Sequence, residues 1–281
     1  MTHNEELQVS VLGQEWYEHA NGYDPSFLGD RHHVAPPAFK DDIQGDIAPL
    51  LSGGYVLDYT HFSIVMSKSR RLAYYTAVNI DGEQQKEIRR TKDNWYYDSR
   101  MARDYQAGPE LYANNDLDRG HLVRRRDPVW GENAEKANED TFHFTNCAPQ
   151  HKNLNQKTWL ELEDYILHNA VTRQLKVTVF TGAVFKESDP LYRGIKIPED
   201  FWKVVVMVKQ DGTLSATAYL QTQKEFLGKL DFTYGEYKTY QVSVSHIETL
   251  TGLHFGELRS SDPLNDSGSP KMVEARSDIL L

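Results

Sequence analysis

Residues 118–121, with the sequence DRGH, decide how this chain folds and what chemistry it can carry, together with two stretches that follow them. Residues 142–150 read FHFTNCAPQ, and residues 155–163 read NQKTWLELE. A histidine close to an arginine supplies a base and a phosphate ligand, and amide and carboxylate oxygens from a helix start can ligate a hard cation. These are the groups that hydrolysis of a phosphodiester needs.

The third stretch predicts a metal site on a helix. Glu163 lies eight positions after Asn155, which in a helix is about 80° around the axis and roughly 12 Å along it. Both side chains can face one side, and we expect Asn155 to ligate the ion directly and Glu163 to hold a metal-bound water. Mg²⁺ keeps most of its waters, so these two groups are sufficient. The alternative is that Asn155 only caps the helix and Glu163 is a solvated carboxylate.

These motifs resemble those of the DNA/RNA non-specific endonucleases, the family of the secreted Serratia nuclease and mitochondrial endonuclease G, which has a ββα-metal core. The resemblance is strong over residues 118–168, and residues 179–182 and 197–204 look like later strands of the family. It implies a role for each of five residues: His121 as general base, Asn155 as direct Mg²⁺ ligand, Glu163 as water-mediated ligand, Asn146 as the residue that orients His121, and Arg119 as a phosphate contact.

Other arginines are candidates for binding substrate. The family has an arginine near a tryptophan upstream of DRGH, and of the arginines around Trp95 we expect Arg90, rather than Arg89 or Arg100, to take that role in catalysis. The arginine run that follows His121 is expected to add a local positive surface for phosphates, although it could also be only a solvated run of charge. The expected substrate-binding residues are Arg89, Arg124, Arg125 and Arg126.

The resemblance implies an endonuclease that depends on Mg²⁺, with Mn²⁺ as a substitute, and that cuts DNA, RNA or both to leave 5′-phosphate products. Because the expected contacts address phosphate and water rather than base edges, sequence selectivity should be slight. Two other classes stay open, an inert binding module and a metal phosphodiesterase that acts on a small molecule. The family also implies a homodimer, and an inhibitor or regulatory partner is a further expectation.

Composition narrows the class of protein. The 281 residues are 39% apolar and 26% charged, which excludes a disordered or fibrous chain. The net charge of −10 means that a polyanion must be met by a local basic patch. The single cysteine, Cys147, is interpreted as a small buried apolar residue. We see neither a signal peptide nor an apolar run of membrane-spanning length, so we expect a cytoplasmic protein without a membrane partner, with a secreted or delivered form as the alternative.

Hydrophobic patterning favours one α+β domain with central antiparallel sheets and packed helices, to which the resemblance adds a ββα-metal motif. We divide the chain into an N-terminal arm (1–50), the ββα-metal nuclease domain (51–258) and a flexible C-terminal tail (259–281). A helix is predicted over residues 155–168, and hairpin turns at 81–82 and 211–212. The predicted strands are 55–66, 72–80, 175–181, 202–208 and 214–220.

Overall fold

A computed structural model describes residues 9–90, 93–152, 158–224, 238–265 and 270–273, without the side chains of residues 158–163, 165 and 238. The strands, in chain order, are β1 (Ser10–Val11), β2 (Ala38–Phe39), β3 (Val56–Tyr59), β4 (Phe62–Met66), β5 (Ala73–Asp81), β6 (Tyr96–Tyr97), β7 (Leu117–His121), β8 (Cys147–His151), β9 (Lys176–Val184), β10 (Leu191–Tyr192), β11 (Ile195–Lys196), β12 (Asp200–Val208), β13 (Leu214–Thr222), β14 (Lys238–Val242), β15 (Leu253–His254) and β16 (Lys271–Met272). The α-helices are α1 (Asp41–Gln44), α2 (Ala134–Asp140), α3 (Thr158–Thr172) and α4 (Val244–Thr251).

The main sheet has eight strands in the order β16, β14, β13, β12, β9, β5, β4, β3, and every neighbouring pair is antiparallel. Side chains alternate between its two faces. On β12, Trp202 and Val204 therefore pack on one face, with α4, and Phe201 and Val205 on the other, with α3. The sheet is buried on both sides, which confirms the α+β class.

The two predicted hairpin turns had different outcomes. The turn at 211–212 is confirmed, because it joins the antiparallel strands β12 and β13, and Gly212 has a φ of +82°. The turn at 81–82 is wrong, since β5 pairs with β4 and β9 and not with the next strand in the chain. Gly82 has a packing role instead: a Cβ there would lie 2.0 Å from the Ala170 carbonyl oxygen of α3. An Asp-Gly pair can thus mark a close approach of backbone to helix.

Described segments near both ends of the chain contribute to the core and to the sheets. In the segment predicted as an arm, Tyr17 and Tyr23 are buried and β1 pairs with β6 in a parallel manner. In the segment predicted as a tail, β16 pairs with β14 at the edge of the main sheet. Across the described ranges, none of the helices has the length and apolar character needed to span a membrane.

Candidate active site

The DRGH motif forms β7, which pairs with β8 in an antiparallel manner outside the main sheet, and α3 is the next long helix in the chain. His121 lies opposite Cys147, and Gly120 lies opposite Ala148. Gly120 lets the fully buried Gln150 side chain pack against β7, because a Cβ at position 120 would lie 2.1 Å from Gln150 Oε1. The glycine of the motif is thus required by packing, and it fixes the strand that ends in His121.

His121 is half-buried between aromatic rings. Its ring centroid lies 5.0 Å from that of Trp95 and 5.2 Å from that of Phe142. Nε2 is buried and has no hydrogen-bond partner among the described residues. Burial lowers the pKa of His121 to about 4; the Asp93 carboxylate opposes that shift, whereas nearby arginines reinforce it. The imidazole is therefore neutral at physiological pH, as a general base must be.

Asn146 is fully buried and holds the backbone that follows His121. Its Oδ1 accepts a hydrogen bond from the Val123 amide at 2.9 Å. Its Nδ2 donates to the carbonyl oxygens of Val123 at 2.9 Å and Thr141 at 3.0 Å. The backbone carbonyl of Asn146 also accepts from the Leu122 amide at 2.9 Å. Asn146 therefore holds the backbone of residues 122 and 123, which follow His121 directly in the chain.

Three arginines lie within electrostatic reach of His121, since Arg90, Arg125 and Arg119 each lower its pKa. Arg119 is exposed, and its guanidinium lies 5.2 Å from the centre of the Trp95 ring. Arg90 is also exposed and forms an ion pair with Asp93. Like charges and burial lower the pKa of Arg125. Mutual repulsion of this kind is relieved when a phosphate binds among the arginines.

The other predicted arginines have different surroundings. Arg124 is only 13% exposed and donates a 2.5 Å hydrogen bond to Asp164 of α3, so the structure does not place it on the positive surface. Arg89 is exposed, and Arg126 is half-buried and lies 4.0 Å from the Glu87 carboxylate. Arg100, the alternative to Arg90, is engaged in the fold: it donates to Asp98 at 2.7 Å and stacks on Tyr17 and Tyr59. Arg90 is therefore the better placed of the two near His121.

The predicted metal ligands are not described in full. Asn155 lies outside the described residues, and Glu163 belongs to α3 but its side chain is not described. Within the described residues, no group of three or more His, Cys, Asp or Glu side chains could hold a metal ion. A site that relied on a carboxylate cluster would not fit this part of the chain, whereas an ion that keeps most of its waters needs no such cluster.

Two residues of this region were not predicted from the sequence as site residues. Asp93 pairs with Arg90 and acts electrostatically on His121, and its only sequence signal was its position two residues before Trp95. Gln150 is fully buried, yet neither its Oε1 nor its Nε2 has a hydrogen-bond partner among the described residues. The Pro-Gln pair after Asn146 was the signal for Gln150. Together, a neutral buried base and exposed cations can bind a phosphodiester and accept a proton from water.

Sequence comparisons agree with this chemistry. A model of the DNA/RNA non-specific endonuclease family matches residues 44–261. The protein y4fB of Sinorhizobium fredii is 38% identical over 245 residues, which are 80% of this chain and 37% of that protein. A protein of Nostoc sp. named Nuclease is 24% identical over 73% of this chain and 74% of its own length. Human mitochondrial endonuclease G is 28% identical over 59% of this chain and 56% of its own length.

The fold also has a solved counterpart. A chain in the crystal structure of the EndoG/EndoGI complex matches with a TM-score of 0.59 at 21% sequence identity. The match covers 80% of this chain and 94% of that chain. At this identity the likeness concerns the fold alone.

Proposed function

This chain belongs to the DNA/RNA non-specific endonuclease family, and we propose that it hydrolyses phosphodiester bonds of DNA, RNA or both to leave 5′-phosphate ends. The observation that supports this most is that Nε2 of His121 is buried and has no hydrogen-bond partner among the described residues. The same ring lies within electrostatic reach of Arg90, Arg125 and Arg119. His143, by contrast, is a structural histidine. Both of its ring nitrogens are hydrogen-bonded, to the Tyr17 hydroxyl and the Asp140 carbonyl, each at 2.9 Å.

We propose that His121 takes the proton of a water molecule that attacks phosphorus in line with the departing 3′ oxygen. Arg119 and Arg90 bind the non-bridging oxygens and stabilise the charge that develops on them. Asn146 keeps His121 in place through the backbone of residues 122 and 123. The aromatic rings around His121 keep the imidazole neutral by excluding water, so that it is ready to accept a proton.

The nucleases of this family depend on a divalent metal ion. We propose Mg²⁺, with Mn²⁺ as a substitute, held by Asn155, with Glu163 holding one of its waters. When bound, the ion supplies positive charge that stabilises the leaving oxygen.

Every proposed contact addresses phosphate or water, so we propose broad cleavage with little sequence selectivity. The matched crystal structure is that of an EndoG/EndoGI complex in which EndoG is inhibited, and this supports the proposal that this chain has an inhibitor of its own. A homodimer and a cytoplasmic location stay predictions.

The test is cleavage of plasmid DNA, single-stranded DNA and RNA, each with Mg²⁺ and with Mg²⁺ plus EDTA. We expect cleavage only without EDTA, and loss of most cleavage in His121→Ala. His254→Ala is the matched control, because His254 is 53% exposed and outside the site. If the polymers are bound but stay intact, the chain is a binding module; if only a small phosphodiester is hydrolysed, it acts on small molecules. Either result would replace the proposal.

A further inference from the structure

Asp93 holds Arg90, one of the exposed arginines of the site, in a defined position. Arg90 donates from Nε to Asp93 Oδ1 at 3.1 Å and from a terminal nitrogen to Oδ2 at 2.5 Å, so both carboxylate oxygens are engaged by one guanidinium. Such two-point pairs fix orientation better than single contacts. The Arg90 side chain is 63% exposed and that of Asp93 is 28% exposed. The carboxylate thus anchors Arg90 while the guanidinium stays accessible to a phosphate.

The segment that carries Asp93 lies against β7, the strand that ends in His121. Trp95, two residues further on, is buried and contacts the His121 ring. The Arg119 guanidinium lies over the Trp95 ring. Asp93 in turn interacts electrostatically with His121 and Arg119, and its pKa is lowered, first of all by its hydrogen bonds with Arg90. Asp93 therefore lies where one negative charge meets several positive ones.

The negative charge of Asp93 stabilises His121 when the imidazole becomes protonated. The cation then formed lies between the rings of Trp95 and Phe142, and among the described residues the charged groups that act on it most strongly are Asp93, Arg90, Arg125 and Arg119. The three arginines repel an imidazolium, whereas Asp93 attracts it. We propose that Asp93 is a positioning residue that anchors Arg90 and supplies the negative charge His121 needs while it holds the proton of the attacking water. This role rests on the proposed nuclease function.

The same geometry predicts a larger effect on kcat than on KM. Without the carboxylate, the protonated His121 loses its attractive partner, so we expect Asp93→Asn to lower kcat by about tenfold, since a neighbouring opposite charge shifts a pKa by about one unit or more. Arg90 loses a competitor for substrate phosphate but also loses its anchor, and because these two effects oppose each other we expect KM to change less than kcat. Asp93→Glu keeps the charge and should recover most of kcat. Glu187→Gln, which removes an exposed carboxylate paired with Lys196, is the matched control and should change neither constant.

A second measurement does not depend on cleavage. The titration of His121 can be followed by NMR in the metal-free protein, with its signal assigned by its absence in His121→Asn. We expect His121 to titrate at lower pH in Asp93→Asn than in the wild type, and at the wild-type pH in Glu187→Gln. An unchanged titration together with an unchanged kcat in Asp93→Asn would overturn the role of Asp93 even if the wild type cuts nucleic acid. If the wild type does not cut, the proposed function fails, whereas the shifted titration still supports the charge contact.

Discussion

Replacing Asn146 by alanine should damage both the fold and catalysis. Asn146 makes three side-chain hydrogen bonds to backbone groups of Val123 and Thr141, and both of these residues are fully buried. The alanine would leave one amide and two carbonyls without these partners. A buried polar group that loses its partner costs about 1–3 kcal/mol, so with three such groups the free energy of unfolding should fall by about 3 kcal/mol or more.

Catalysis should suffer as well, because residues 122 and 123 follow His121 directly. A displacement of a catalytic group by about 1 Å can lower a rate by about a hundredfold, and we expect a loss of kcat of that order. Denaturant unfolding of the metal-free protein gives the stability change, and cleavage assays give kcat. Asn133→Ala is the control, since Asn133 is exposed and makes no capping hydrogen bond. A stability loss under about 1 kcal/mol with unchanged kcat would refute the role of Asn146.

Three further predictions concern neighbouring residues. Because the pKa of His121 is lowered from 6.5 to about 4, the unfolded state binds more protons than the folded state between these pH values. The free energy of unfolding should therefore be intact above pH 6.5 and fall by about 3 kcal/mol as the pH drops through 4. Denaturant unfolding of the wild type and of His121→Asn at a series of pH values checks this. Gly120→Ala should lower stability by about 1–3 kcal/mol through its clash with Gln150, whereas Gly45→Ala, which meets no atom within 4 Å, should not; equal unfolding midpoints would contradict the packing role. Arg119→Ala should raise KM and reduce the salt dependence of binding by about one phosphate contact, which titrations at several salt concentrations measure, and an unchanged slope would count against a phosphate contact.

The sheet was predictable because its strands are long and bury side chains that alternate between two faces. The segments around Trp202 and Leu214 have this pattern, and the structure confirms them as β12 and β13. The Asp-Gly pair at 81–82 misled because local sequence does not show which helix a glycine will pack against. Only the tertiary fold brings Gly82 to the Ala170 carbonyl.

The closeness of the two motifs was predictable because their spacing is short: His121 lies opposite Cys147, the residue after Asn146, while the catalytic roles of His121 and Asn146 stay predictions. The arginines were harder, because an arginine next to the motif can face the substrate or the interior with the same sequence signal. Arg124 pairs with Asp164 of α3, forty residues away, and Arg100 stacks on Tyr17. Asp93 was missed because a carboxylate in a loop has no signal of its own until the ion pair with Arg90 and the position near His121 are seen.

The most direct measurement of the role of His121 is single-turnover cleavage of an end-labelled oligonucleotide with enzyme in excess, for the wild type and His121→Ala, alongside binding by fluorescence anisotropy. We predict that the variant binds as tightly as the wild type but loses at least about a hundredfold in cleavage rate, the range of a general base. We also predict that the wild-type products carry 5′ phosphates. A variant that cleaves at the wild-type rate would contradict the assignment of His121 as the base.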